Sequence, residues 1–338
     1  MKNIFLLSAL LLILSSWHQP GDWLILNLKG YWKFKIGDKE IYAEANYDDS
    51  DWDEIFVPAA WENEGYHGYD GYAWYRVAFE LNASTIDEES LYLDLGYIDD
   101  VDEVYVNGEK IGFTGGFPPN FYTAHQSRRL YHLPAKLLKK NGPNIIAVRV
   151  FDTVLDGGIL SGTVGIFASR AGLPPVQHLE GIWKIRNGRS SDWRAVSFDD
   201  DRWHETMVPG FWNQMKSDRP HGNLATYRKT FELSAYLEKT DQLVIILGKI
   251  DDFDEVYLNG ELIGKTKDYR PFGSSGSYNE YRVYDLPEHL LNLSGTNVLT
   301  VEVEDIGGNA GIYAGPIMIT YEKDYRQVIR QYGNTWRW

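Results

Sequence analysis

The chain has 338 residues, which suits two domains of roughly 150 residues each. Its formal net charge of −15 makes nucleic acid and anionic membranes poor partners for its surface. The sequence contains no cysteine, which excludes disulfides, thiolate metal sites and a cysteine nucleophile. Aromatic residues make up 14% and glycine occurs 32 times, so the composition favours strands joined by tight turns.

Residues 1–18 are predicted to form a secretory signal peptide. Lys2 gives the positive start, Ile4–Leu14 is a short apolar run, and Ser15 and Ser16 are small residues near a cleavage point. The apolar run is too short to span a bilayer comfortably. We therefore predict an exported protein, periplasmic or extracellular, with no membrane insertion after the signal is removed.

The remaining chain contains the same series of strand patterns twice. The matching segments, in chain order, are 30–35 and 181–186, 47–52 and 198–203, 75–81 and 227–233, 98–112 and 250–264, and 145–151 and 298–303. The fourth pair contains Asn107-Gly108 and Asn259-Gly260, a dipeptide typical of two-residue β-hairpin turns in which both residues take positive φ. The sequence therefore predicts an internal duplication.

Short strands separated by turn signals predict an all-β fold made of two tandem antiparallel sandwiches. Trp32 and Trp183 should be buried at equivalent places in the two sandwiches. The C-terminal tail has apolar residues at helical spacing from Tyr325 to Tyr332 and is expected to dock on its own domain. The predicted divisions are domain 1 at 19–171, a linker at 172–175, domain 2 at 176–321 and the tail at 322–338.

One set of motifs in each half resembles a known domain. In the first half the set comprises Trp32, 49–52, Val57-Pro58, Trp61, Tyr75-Arg76, the hairpin 98–112 and the block 152–159. It resembles the N-terminal sugar-binding domain of glycoside hydrolase family 2, the family of β-galactosidase and β-glucuronidase. The hairpin and the block ending in Asp152 are also similar to the accessory β-domain of sialate O-acetylesterases. The resemblance implies galactose-binding-like jelly rolls, whereas the catalytic domains of both groups have no counterpart in the sequence.

The segment from Trp61 to Trp74 is rich in side chains that suit a sugar, because sugars stack on aromatic rings and bond to carboxylates and amides. The expected ligand-binding residues are Tyr66, His67, Tyr69, Asp70, Tyr72, Trp74 and Asp152.

Comparison of the two halves divides the aromatic residues of this segment into two groups. Trp61 recurs as Trp212 and is assigned to the core. Thr226 replaces Trp74, which favours an exposed stacking role for that ring. Because 213–226 lacks aromatic residues, stacking is expected only in the first half. The alternative is that these aromatics fill the end of the sandwich.

Two acidic features of each half have alternative interpretations. Asp152 and Asp305 end matching strands before glycine-rich turns, and a side-chain cap on the turn is the first interpretation. A ligand contact at this loop is implied by the family resemblance. The acidic runs 99–103 and 251–255 are interpreted as strand-edge charges that discourage edge pairing. A structural Ca²⁺ held by these carboxylates is the alternative, and no other cofactor is expected.

Catalytic motifs are largely missing from the sequence. It contains neither a Gly-x-Ser-x-Gly elbow nor a His-Glu-x-x-His helix. We therefore predict a non-catalytic carbohydrate-binding protein that assists a separate glycan-degrading enzyme. The first alternative is a small glycoside hydrolase or sugar O-acetylesterase with a site between the two domains. The second alternative is a structural module that binds another protein.

Overall fold

The computed structural model describes residues 22–88, 90–169, 176–212, 223–233, 242–266, 276–307 and 310–333. We call 22–169 the first half and 176–333 the second half. The predicted signal peptide and the predicted linker 172–175 lie outside the described residues.

The described residues form 21 strands and two short α-helices. The first half contains β1 Asp22–Asn27, β2 Gly30–Ile36, β3 Asp53–Val57, β4 Gly71–Phe79, α1 Ala83–Glu88, β5 Ser90–Asp99, β6 Val101–Val106, β7 Glu109–Thr114, β8 Arg128–His132, β9 Asn144–Asp152, β10 Gly158–Ser161 and β11 Gly165–Ser169. The second half contains β12 Gln177–His178, β13 Gly181–Asn187, β14 His204–Val208, β15 Leu224–Glu232, β16 Leu243–Asp251, β17 Phe253–Leu258, β18 Glu261–Thr266, β19 Tyr281–Leu286, β20 Thr296–Glu304, β21 Gly311–Tyr321 and α2 Tyr325–Gly333. The all-β class is therefore as predicted.

Each half contains two antiparallel sheets. The first half has a six-stranded sheet, β3-β2-β4-β9-β6-β7, and a sheet β1-β11-β5-β10 in which β8 also pairs with β5. The second half repeats the six-stranded order as β14-β13-β15-β20-β17-β18, and its other sheet is β12-β21-β16-β19. The predicted duplication is thus visible in the pairing order of the strands.

The two sheets of each half share one hydrophobic core. Trp32 from β2 and Leu93 from β5 belong to the same buried cluster, so side chains of both sheets contribute to it. Trp32 and Trp183 are each 1% exposed. Their indole N–H groups donate to the carbonyls of Leu28 and Leu179 at 2.8 and 2.7 Å. The predicted equivalent burial of the two tryptophans is confirmed.

The Asn-Gly hairpin turns form as predicted. Asn107 and Gly108 have φ values of 52° and 94°, and they join β6 to β7. The Asn107 amide also donates to the carbonyl of Leu137 and to Oδ1 of Asn144, both at 2.8 Å. Asparagine is therefore favoured here by its backbone conformation and by its hydrogen bonds to a neighbouring loop.

Not all carboxylates of the acidic hairpins are exposed charges at the edge of a sheet. Asp102 is fully buried, and its Oδ1 accepts a hydrogen bond from Arg129 Nε at 2.7 Å. Asp254 and Arg282 repeat the pair in the second half, also at 2.7 Å. The strand-edge interpretation is wrong for these two aspartates, because an arginine from the adjacent sheet reaches each of them.

The C-terminal segment forms the predicted helix, α2. Val328 and Tyr332 of this helix pack on Ile246 and Met318 of the second half. The tail therefore docks on its own half, as expected. No helix in the described part of the chain is long and apolar enough to cross a membrane.

Candidate functional site

Trp74 faces away from the first-half core but is fully buried, at 0% exposure. The short 3₁₀ helix Glu40–Ala43 covers this face of the sheet, and its Tyr42 ring lies 6.0 Å from the indole. Tyr105 lies 5.7 Å away, and the indole N–H donates to Asp38 Oδ1 at 3.3 Å. The expected exposed stacking role for Trp74 is wrong, because the ring belongs to a second buried cluster.

The face that matches Trp74 is built differently in the second half, where Thr226 replaces the tryptophan. Arg194 ends the matching 3₁₀ helix, at the place held by Ala43 in the first half. Its guanidinium lies 3.8 Å from the centre of the Tyr257 ring. In the first half the matching ring, Tyr105, packs against Trp74.

The rings of Tyr66 and Tyr69 pack mainly against the core of the first half. Both are half-buried and pack against the first-half cluster, Tyr66 on Phe34 at 4.7 Å and Tyr69 on Trp61 at 5.7 Å. These contacts agree with the alternative in which the loop aromatics fill the end of the sandwich. His67 is exposed on the same loop.

Tyr72 joins three aromatic rings that come from distant segments. It stacks on Phe117 with ring centres 6.0 Å apart and planes at 12°, and it lies 4.6 Å from Phe151. Phe121 lies 5.7 Å from Phe151, and all four rings are half-buried. We call Tyr72, Phe117, Phe121 and Phe151 the aromatic shelf.

Polar groups flank the aromatic shelf. The Arg149 guanidinium lies 4.3 Å from the centre of the Phe117 ring and 5.0 Å from that of Tyr72. It pairs with Asp38 at 2.5 Å and with Glu103 at 2.9 Å. Half-exposed rings beside fixed polar groups form a surface that suits the apolar face and the hydroxyls of a sugar.

Asp152 ends β9 beside the shelf and is 1% exposed. Among the described residues, neither of its carboxylate oxygens makes a well-aligned hydrogen bond, and the Val154 backbone N–H is the donor that interacts with them. Burial raises the pKa of Asp152 to about 7. The Val154 backbone N–H opposes this rise, whereas the charges of Asp100, Asp99 and Asp70 add to it. A buried carboxyl group whose oxygens keep unused acceptor capacity can bind hydroxyl donors.

The two matching aspartates, Asp305 and Asp152, differ in how they cap the turns that follow them. Asp305 Oδ1 accepts a hydrogen bond from the Gly307 N–H at 3.1 Å, which is the predicted cap on the turn. At Asp152, its counterpart, the Val154 backbone N–H stabilises the charged carboxylate without forming a well-aligned hydrogen bond. The cap interpretation is therefore confirmed at Asp305, and Asp152 shows only a weak form of the same contact.

Replacing Asp152 by asparagine is expected to remove a pH-dependent loss of stability. The folded-state pKa of about 7 lies above the ordinary 3.8, so folding favours the protonated form. Its stabilising effect is full below about pH 4 and is lost as the pH rises through 7. At about pH 8, Asp152→Asn should therefore unfold with a free energy about 1–3 kcal/mol higher than the wild type. Denaturant titrations at both pH values check this, and a difference that is equal at both would contradict it.

A second acidic group lies at the same end of the first half. Ligand atoms of Asp99, Asp100 and His125 lie within 4.8 Å of one another, a spacing that a cation would accept. Asp100 Oδ2 already accepts hydrogen bonds from the hydroxyl and the N–H of Thr153, at 2.8 and 3.2 Å, and Oδ1 accepts one from Thr123. Asp251, Asp252 and Asp305 of the second half meet the same spacing, and a bound Ca²⁺ stays a prediction in both halves.

The second half also carries partly exposed aromatic rings. Phe211 and Tyr313 stack with ring centres 5.0 Å apart and planes at 5°. The Tyr313 hydroxyl donates to the carbonyl of Tyr278, whose own ring is exposed. The expectation that aromatic surface belongs only to the first half is wrong, because these rings come from segments other than 213–226.

One serine–histidine pair joins the two halves. Ser90 Oγ and His178 Nε2 lie 2.8 Å apart, and the His132 ring lies 4.3 Å from that of His178. His178 Nδ1 has no partner among the described groups, so no carboxylate orients the imidazole. Burial lowers the pKa of His178 to about 4. The pair therefore lacks the third member of a hydrolytic triad.

Comparisons with known proteins show that the chain is similar to parts of β-galactosidases and β-glucuronidases. The family model of the β-galactosidase second all-β domain matches residues 37–156 and again residues 190–309, more than two thirds of the chain. A protein of Formosa agariphila assigned as a β-glucuronidase is 26% identical over 177 residues, which are 48% of this chain and 16% of that protein. A β-galactosidase of Vibrio vulnificus is 35% identical over 71 residues, 19% of this chain and 7% of that protein.

Solved structures of β-glucuronidases also match. The enzyme of Bacteroides uniformis aligns with a TM-score of 0.36 and 16% identity, over 86% of this chain and 28% of its own. The enzyme of Bifidobacterium dentium, complexed with coumarin-3-O-glucuronide, aligns with a TM-score of 0.36 and 12% identity, over 86% and 43%. The chain therefore spans less than half the length of these relatives.

Proposed function

The chain belongs to the family of the β-galactosidase second all-β domain, and from this premise we propose that it binds carbohydrate without cleaving it. In this proposal the protein is exported and assists a separate glycan-degrading enzyme. Each half is a galactose-binding-like jelly roll, and the similarity to the accessory domain of sialate O-acetylesterases reflects that shared form. The binding site lies in the first half, at the aromatic shelf and Asp152.

The main observation behind this proposal is the burial of the Asp152 carboxyl group. The residue follows Phe151 of the aromatic shelf, and its two buried oxygens make no well-aligned hydrogen bond within the described residues. Leaving a buried acceptor unpaired costs about 1–3 kcal/mol, a cost that a bound hydroxyl or a water molecule would offset. Tyr72 lies on the neighbouring strand, where Gly71 pairs with Asp152. Side chains alternate along β9, so the Phe151 ring lies with Tyr72 on the outer face of the sheet and Asp152 lies on its core side. In this proposal the sugar stacks on Tyr72 and reaches the carboxyl group around the ends of β4 and β9.

Replacing Tyr72 by alanine should weaken carbohydrate binding by about 1–3 kcal/mol, because a stacking ring is lost. The measurement is the affinity of the purified chain for the oligosaccharides that it retains from a panel of neutral and acidic glycans. Tyr31 provides a matched control, since its ring is 69% exposed and lies outside the shelf.

Tyr31→Ala should leave the affinity unchanged. If both tyrosine variants bind as tightly as the wild type, the shelf is not the site. If no glycan in the panel binds, the proposed function fails.

A hydrolase with its site between the two halves is the second candidate, and the contact between Ser90 and His178 is the observation that favours it. Turnover of aryl acetates or aryl glycosides that Ser90→Ala abolishes would establish this alternative. Because no carboxylate orients His178, we place it second.

A further inference from the structure

A cleft opens on the outer face of the six-stranded sheet of the second half. Its volume, including the open mouth, is about 260 Å³, and its deepest part has room for one group the size of a water molecule. Its lining includes Leu224, Phe253, Arg189 and four acidic residues, Asp254, Glu255, Glu302 and Glu304. Asp254 is paired with Arg282, so three glutamates remain in one small cleft with two apolar walls.

The same place in the first half is occupied by a cation. There Glu103 on β6 pairs across the sheet with Arg149 on β9, and the two side chains form an ion pair at 2.9 Å. In the second half the matching cross-strand pair is Glu255 and Glu302. Like charges directly opposite one another destabilise a sheet. In the second half Glu302 therefore replaces the strand arginine, and Arg194 of the 3₁₀ helix Ser191–Arg194 pairs with this glutamate at 2.8 Å.

Glu302 is the best-defined group in the cleft. It is 3% exposed, and its Oε1 accepts a hydrogen bond from Arg194 Nε at 2.8 Å. Its Oε2 has no partner within the described part of the chain. Arg189 at the mouth is exposed and forms no ion pair with Glu302 or Glu304 among the described residues. The cleft thus holds a buried carboxylate oxygen that lacks a donor.

We propose that this cleft binds the ammonium group of an amino sugar, an inference that rests on the proposed carbohydrate-binding function. An ammonium group has the size of the deepest part of the cleft and provides three hydrogen-bond donors. A metal ion fits less well, because the described groups spaced for one do not include these three glutamates. Leu224 and Phe253 would contact the apolar face of the sugar.

The test compares a fully deacetylated glucosamine oligosaccharide with its N-acetylated form of the same length, at mildly acidic pH and low salt. The deacetylated form should bind at least about tenfold more tightly, as one charge-assisted hydrogen bond implies. Glu302→Gln should remove that preference, because it keeps an acceptor for Arg194 but removes the charge. Glu302→Arg, which restores the residue type of the first half, should abolish it.

Glu261→Gln is the matched control, since it removes one exposed charge from the neighbouring strand β18. If both glutamine variants weaken binding equally, the attraction is only that of a chain with net charge −15, and the inference is wrong. Equal affinity for the two oligosaccharides would also overturn it. Tighter Glu302-dependent binding of a lysine peptide would show that the ligand is a protein.

The result also separates this inference from the proposed function. In one outcome, neutral glycans bind in a Tyr72-dependent manner and Glu302→Gln has no effect on the binding of either oligosaccharide. That outcome would refute the amino-sugar inference and leave the proposed function standing. In the opposite outcome, the chain prefers the deacetylated oligosaccharide in a Glu302-dependent manner and binds no neutral glycan. That outcome would support the amino-sugar inference and show that the aromatic shelf is not a binding site.

Discussion

Replacing Arg129 by methionine should lower the free energy of unfolding of the first half by about 3–5 kcal/mol, because it leaves a buried carboxylate without its partner. Asp102 and Arg129 are both fully buried and joined at 2.7 Å. Arg129 also donates to the carbonyls of Ala124, Ser127 and Asp100. Denaturant unfolding followed by tryptophan fluorescence measures the effect.

The control is the double variant Arg129→Met with Asp102→Asn. It removes the negative charge of Asp102 as well as the positive charge of Arg129. It should be more stable than Arg129→Met alone, because an amide costs less to bury than a carboxylate. A loss below about 1 kcal/mol for Arg129→Met would show that water reaches this pair and that the two sheets are not closed over it.

Replacing Trp74 by alanine should destabilise the first half by about 3–5 kcal/mol, as expected for deleting a large buried ring. The indole is packed between the 3₁₀ helix Glu40–Ala43 and the sheet, so the helix would lose its support. Thermal unfolding of the variant gives the measurement. Glycan affinity, measured below the transition, should change little, because Trp74 does not reach the aromatic shelf surface.

Thr226→Ala tests the equivalent place in the second half. Its hydroxyl donates to the Gly188 carbonyl at 2.6 Å, so its loss should cost about 1 kcal/mol. If Trp74→Ala instead melts like the wild type and loses glycan binding, the ring is an exposed anchor and the packing described above is wrong.

Much of the fold follows from local signals in the sequence. The Asn107-Gly108 turn, the equivalent tryptophans Trp32 and Trp183, and the C-terminal helix α2 each depend on residues close together in the chain. Turn chemistry and periodicity act over such distances. The repeated order of strands then follows from the duplication.

The candidate site depends on contacts that no local signal reports. The aromatic shelf brings Tyr72 together with Phe117, Phe121 and Phe151, and only Tyr72 belongs to the loop expected to bind. The burial of Trp74 depends on Tyr42, which lies 32 residues earlier in the chain. Comparing the two halves also gave a wrong prediction for Trp74, because a ring that the second half lacks belongs to a buried cluster in the first. Residues that differ between repeats can differ together for packing reasons.

Sequence reasoning also misjudged the acidic hairpins, for a geometric reason. Alternation along a strand would send Asp99 and Asp100 to opposite faces. In the structure β5 ends at Asp99 and β6, in the other sheet, begins at Val101. The chain passes from one sheet to the other at this point, so the two carboxylates stay close together.

The position of a bound oligosaccharide tests the central claim most directly. A crystal structure of the complex, with a glycan chosen by its affinity, should show an intact sugar ring against Tyr72 and a hydroxyl within hydrogen-bonding distance of Asp152. A sugar bound between the halves beside Ser90 and His178, or a cleaved glycan, would contradict the account.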